Sequence, residues 1–101
     1  MKFPKWTVES SAKIKKQIRR LGEDQDALFA ALQAELEVNG RAGEGWPKVG
    51  PIWQFGKNRN IIKVHLNSNR PIYVVMYEIF KNERRIQVLY VGTHEKAPYG
   101  R

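Results

Sequence analysis

The chain has 101 residues, no cysteine, 42% hydrophobic and 28% charged residues, and a formal charge of +8. That length holds one modest core, so a single domain over residues 1–101 is expected, with the composition of a folded protein and not a disordered one. The lack of cysteine excludes disulfide staples and thiolate chemistry. No apolar run approaches the roughly 20 residues that cross a bilayer, and Met1–Trp6 lacks the apolar stretch of a secretory signal. A cytoplasmic protein with no membrane partner is the expectation.

The charge is segregated. Residues 1–20 hold seven Lys or Arg against Glu9, residues 21–40 hold five acids and no Lys or Arg, and residues 41–101 hold eleven basic against four acidic residues. Such a field favours polyanions and speeds their capture.

Trp6–Ser10 predicts a short first strand. Ser10 or Ser11 can then cap a helix whose apolar positions Ile14, Ile18 and Leu21 share one face, leaving Lys13, Lys15, Lys16, Arg19 and Arg20 outside. Gly22 suits the residue that ends this helix. Asp24 can cap a second helix with the stripe Leu28, Leu32 and Leu36, stopped at Asn39-Gly40. The short joint predicts an antiparallel helical hairpin, with attraction between the basic first and acidic second helix.

Residues 40–60 hold five glycines, two prolines and two tryptophans. These breakers exclude helix and predict a long loop, with Trp46 and Trp53 packing it onto the core or serving a binding surface. The period then changes to two. Asn60–Leu66 alternates Ile62, Val64 and Leu66 against Lys63 and His65. Asn67–Pro71 turns the chain, and Ile72–Phe80 is apolar on both faces except for Glu78, best read as a paired structural carboxylate. Lys81-Asn82-Glu83 turns again into Arg84–Val91. A loop centred on Asn82-Glu83 sets Ile79 opposite Ile86 and Tyr77 opposite Val88. The fold class is therefore α+β with the order β-α-α-β-β-β: a short N-terminal strand, a helical hairpin and an antiparallel three-stranded meander. The helices cover one face, and the other face is left open with Lys63 and His65 on it.

His65 and His94 can take or give a proton at neutral pH. Neither has the spacing of a metal site, so no metal is expected. Lys63, Arg70, Arg85, Lys96, Arg101, Lys57 and Arg59 can hold phosphate oxygens. Tyr99 can stack on a base or hydrogen-bond to the scissile group. No P-loop, dinucleotide fingerprint or serine-nucleophile motif is present, so no cofactor is expected.

The order of elements, the helix Ser11–Leu21, the strand Val74-Val75-Met76-Tyr77-Glu78-Ile79 and the ending Val88-Leu89-Tyr90-Val91-Gly92-Thr93-His94-Glu95-Lys96 resemble the RelE/ParE superfamily of bacterial toxins. The Trp-Pro stretch before the sheet is closer to its HigB-like and phage-borne branch. The resemblance spans nearly the whole chain and rests on order and spacing more than on any one motif. It implies the toxin of a type II toxin–antitoxin pair, an mRNA interferase that cuts mRNA on the ribosome, in the A site, by attack of the ribose 2′-hydroxyl on the adjacent phosphate. The implied partners are that mRNA and a cognate antitoxin laid as a helix or strand over the basic open face. By position, Lys63, His65, His94 and Tyr99 fall on the catalytic places. Many relatives carry an Arg just before the Val-Val-Tyr-like run, where this chain has Tyr73 or Val74; Arg70 and Arg85 are the candidates to replace it. The same fold serves a ParE-like, non-enzymatic inhibitor of DNA gyrase, and a catalytically degenerate RNA-binding module is a third reading.

Overall fold

The computed structural model describes residues 5–98. Tyr99 and Arg101, two of the expected site residues, lie outside that range. Ser11 Oγ accepts the Ile14 amide at 3.3 Å and so starts helix α1, Ala12–Arg19. Lys16 and Arg19 occupy its last turn, where cations suit the negative end of the helix. Ile14 is buried, with Ile18 and Leu21 beside it, while Lys13, Lys15, Lys16, Arg19 and Arg20 are exposed as expected.

The joint between the helices differs from the expectation. Arg20 caps α1, and Gly22 stands in extended backbone as the residue before helix α2, Glu23–Asn39. The chain re-enters helix so quickly that Gly22 starts α2 and does not end α1. Asp24 consequently lies in the first turn with Glu23 and Asp26, where acids meet the positive helix end, and not at the cap. Gly40 closes α2 at φ 73°, the left-handed conformation glycine adopts without strain. A Cβ there would also overlap the Trp6 indole. No ion pair joins α1 to α2 among the described residues.

The sheet has five strands and is mixed, not a three-stranded antiparallel meander. Strand β1 is Thr7–Ser10, β2 is Lys48–Ile52, β3 is Ile61–His65, β4 is Tyr73–Phe80 and β5 is Arg85–Thr93. Their spatial order is β1-β5-β4-β3-β2, with β1 parallel to β5 and every other pairing antiparallel. Strand β2 runs through the stretch expected to be loop. Gly50 and Pro51 hide it from a reading by pattern, and Pro51 is tolerated because β2 is an edge strand. The β4–β5 hairpin has the expected register, Ile79 opposite Ile86 and Tyr77 opposite Val88. A β-bulge then interrupts the ladder: Tyr77 pairs with Val88 but Met76 with Tyr90.

One face of the sheet packs on the helices. Ile14, Phe29, Leu32, Leu36, Val64, Val75, Tyr77, Ile86, Val88 and Val91 form that core, with Leu66. Burial of the Tyr77 ring pushes its phenol up to about 12, against the lowering effect of a hydrogen bond with Ala42. Beyond the end of β1, Gln17 of α1 accepts the Val91 amide at 2.9 Å, which satisfies the edge of β5 there.

The other face is less open than expected. Ile52, Ile61, Val74, Met76 and Ala97 form a second apolar cluster, joined by Phe55, Ile72, Leu89 and Tyr90. The β2–β3 loop and the segment after β5 cross this face, and Gln54 Nε2 donates to the Pro98 carbonyl at 3.2 Å to link them. Trp46 follows the structural expectation, donating its indole N–H to Glu35 at 2.8 Å and packing on the core. Trp53 does not: it is 64% exposed. None of the helices described is long and apolar enough to cross a membrane.

Candidate active site

The alternation of β3 places Ile61, Lys63 and His65 on the second face, and the register brings Lys48 opposite His65 and Gly50 opposite Lys63. On the other side of β3, His65 pairs with Val74 and Lys63 with Met76. Val74 in turn pairs with Gly92, and Met76 with Tyr90. Lys48, Lys63, His65 and Tyr90 thus belong to neighbouring positions of one patch.

His94 joins it from just past β5. The chain leaves β5 into a short 3-10 turn, His94–Lys96, whose His94 amide donates to the Ile72 carbonyl at 2.7 Å. The Ala97 amide returns to the His94 carbonyl at 3.2 Å. This clamp sets the His94 ring against His65, centroids 5.2 Å apart, edge to face at 64°. His65 is 9% exposed, and its Nε2 is buried without a hydrogen-bond partner. Burial holds the His65 imidazole below its ordinary value, and His94, Lys63 and Lys48 push the same way. Lys63 is lowered by burial first and by Lys48 second.

His94 also lines a cleft of about 480 Å³ with Arg70, Pro71, Ile72, Thr93 and Glu95. Arg70 stands in the β3–β4 turn, organised by Asn67. The Asn67 amide donates to the Asn69 and Pro71 carbonyls at 2.7 and 3.0 Å, and its oxygen accepts the Tyr73 N–H at 2.8 Å. Arg70 is therefore carried to the His94 side by local turn chemistry.

The remaining sequence candidates divide. Arg59 grips Glu78 through two hydrogen bonds of 2.6 and 3.0 Å, and Glu78 is 7% exposed. The pairing lowers the Glu78 carboxyl, which is the structural carboxylate read from the sequence. Arg85 bonds Glu83 at 3.0 Å and Glu9 at 3.2 Å and lies 4.1 Å over the Phe80 ring, near the hairpin end of the sheet. It is not brought to His94. Lys57 and Lys96 are exposed, in the β2–β3 loop and in the final turn.

Three residues of this candidate site were missed from the sequence. Lys48 was hidden with β2. Tyr90 was hidden by the bulge, which turns it onto the second face. Its hydroxyl donates to the Thr93 carbonyl at 2.8 Å, directly before His94. Gly92 leaves room for that ring: a Cβ there would lie 2.6 Å from the Tyr90 hydroxyl. Among the described residues no group of three or more His, Asp or Glu could hold a metal ion.

Comparison with solved structures then decides the fold. A chain of the archaeal RelE–RelB complex from Pyrococcus horikoshii superposes with a TM-score of 0.72 at 16% identity, covering 91% of this chain and 98% of that one. The chain has the RelE-type fold. A metal-bound toxin from Helicobacter pylori matches with a TM-score of 0.65 at 20% identity over 90% of this chain and 97% of that one. A conserved hypothetical protein of the same organism gives 0.57 at 19% identity, over 89% and 96%. No family model and no curated protein matches the sequence.

Proposed function

We propose that this RelE-fold chain is the toxin of a type II toxin–antitoxin pair, acting in the cytoplasm as a ribosome-dependent endoribonuclease. The observation that carries this reading is the His94–His65 pair beside the Arg70 cleft, among Lys63 and Lys48. The reaction needs a proton acceptor for the 2′-hydroxyl, a proton donor for the departing 5′-oxygen, and positive charge on the phosphate. As the 2′-oxygen bonds to phosphorus and the bond to the 5′-oxygen breaks, the 2′ proton passes to the base and the acid returns one to the 5′-oxygen. A 2′,3′-cyclic phosphate remains.

His94 is the imidazole that reaches the cleft, so it exchanges a proton with the RNA. His65 lies behind it with a buried Nε2 and serves as a positioning residue. Arg70 and Lys63 supply charge to the phosphate, the first from the cleft and the second from the sheet. Tyr90 holds the Thr93 carbonyl and so the start of the His94 turn. The small number of groups suits an enzyme that relies on the ribosome to align the message. A cognate antitoxin would cover the basic face, in keeping with its charge.

Cell-free translation with primer extension on the message tests the reading. Ribosome-dependent cuts that vanish in His94→Ala are the expected result. Intact message together with stalled gyrase–DNA complexes would overturn it in favour of a gyrase inhibitor.

A further inference from the structure

Trp53 stands apart from the other two tryptophans. Trp46 is spent on Glu35 and the core, and Trp6 packs on the core with the Arg84 guanidinium 5.7 Å over it. Trp53 leaves 64% of its surface in water, yet its backbone is not loose. Ile52 before it is buried and pairs with Ile61, and Phe55 packs on the second cluster. The Trp53 carbonyl accepts the Gly56 amide at 3.0 Å, Gln54 bonds Pro98, and Arg59 pins the far end of the loop to Glu78. An exposed indole on a braced loop loses little entropy on meeting a partner.

The surroundings specify the partner's charge. From Gly45 to Tyr77 the chain has no acidic residue, while Lys48, Lys57, Lys63 and Arg70 fall in that span beside Arg59, which is held by Glu78. The loop with Trp53 lies at one end of the β2–β3 pair and His65 at the other. Four steps of strand lead from Ile61 to His65, about 13 Å at roughly 3.3 Å each. That is roughly four stacked nucleotides at about 3.4 Å each. Single-stranded nucleic acid is held by this combination, a basic track with an aromatic face on which any base can stack.

We infer that Trp53 is a stacking platform for a nucleobase of the single-stranded RNA, a few nucleotides from the phosphate at His94. This rests on the ribonuclease reading and adds a second point of contact, at the opposite end of the β2–β3 pair from His65. Trp53 is not a catalytic residue; it holds substrate.

Binding of a fluorescein-labelled eight-nucleotide single-stranded RNA at low salt, followed by anisotropy, tests it, with a heparin fragment as a polyanion that has no bases. Trp53→Ala is expected to weaken RNA binding about tenfold, Trp53→Phe by much less, and neither to change heparin binding or the salt slope. Equal RNA affinity of Trp53→Ala and wild type overturns the inference, and if His94-dependent mRNA cuts persist the ribonuclease reading survives. Absence of RNA binding by the wild type overturns the inference as well, and absent cuts in translation then remove the reading with it. Sedimentation that shows a dimer dispersed by Trp53→Ala, with RNA affinity unchanged, assigns the indole to a second copy of the chain and also overturns it.

Discussion

His65 and His94 meet edge to face at 5.2 Å although they come from β3 and from the turn after β5, with β4 between those strands. Strand pairing positions the first and the Ile72 carbonyl positions the second, so their contact depends on the whole C-terminal half of the sheet. A half-buried imidazole lies over a buried one, and the proposed reaction divides the work accordingly, with His94 toward the RNA and His65 behind it.

The buried member makes stability depend on pH. The folded His65 has a depressed pKa, so the unfolded chain takes up its proton first as pH falls. Its contribution to stability is complete above the ordinary histidine value near 6.5 and is lost as pH drops from there through the lower folded value. Melting temperatures measured between pH 8 and pH 5 are expected to fall across that window in the wild type and to fall less in His65→Gln. An equal slope in both proteins rules out His65 as the source.

The Arg59–Glu78 pair makes a separate, more acidic contribution. Its carboxyl is lowered in the folded state, so the stability it confers is present above the ordinary carboxylate value and lost as pH falls through the folded one. Arg59→Ala leaves a buried carboxylate without its partner and is expected to lower the melting temperature at pH 7. Adding Glu78→Ala is expected to recover some of that loss, because it removes the uncompensated charge. A thermal double-mutant cycle measures the coupling; additive losses would show that the pair contributes nothing jointly.

Gly92 and Tyr90 connect packing to the site. Gly92→Ala forces its new methyl against the Tyr90 ring and is expected to cost about 1–3 kcal/mol of stability. It should also displace the Thr93 carbonyl and lower cleavage at temperatures where the protein is still folded. Tyr90→Phe removes the one hydrogen bond to Thr93, for about 1 kcal/mol. Denaturant melts and cleavage rates on the same preparations check both, and unchanged cleavage by folded Gly92→Ala would separate Tyr90 from the site.

The core sets the scale for these effects. Leu32 is fully buried between α2 and the sheet, and Leu32→Ala is expected to cost about 2–5 kcal/mol in a urea melt. A smaller loss would mean that the cavity collapses.

Much of this was legible because it is local. The stripe Leu28, Leu32 and Leu36, the alternation that sets Lys63 and His65 on one face, and the register of Ile79 with Ile86 all follow from period and turn length. What escaped is non-local or locally irregular. The parallel pairing of β1 with β5 joins the two ends of the chain, and nothing in either segment encodes it. Gly50 and Pro51 carry no strand preference, and β2 exists because β3 offers a partner edge. The bulge after Val88 shifts the alternation, so Tyr90 turns to the site and Val91 to the core, the reverse of a regular strand. The cover over the second face depends on Phe55 and Ala97, distant in sequence, joining one apolar cluster there, which spacing alone does not reveal.

The most direct test of His94 as the proton-exchanging group is single-turnover cleavage on ribosomes programmed with a defined message, with the new 3′ end identified. Wild type is expected to leave a 2′,3′-cyclic phosphate or its hydrolysis product, and His94→Ala, folded by circular dichroism, to cut roughly 10²–10⁴-fold more slowly. Cleavage by His94→Ala at the wild-type rate, or no cleavage by the wild type, would contradict it.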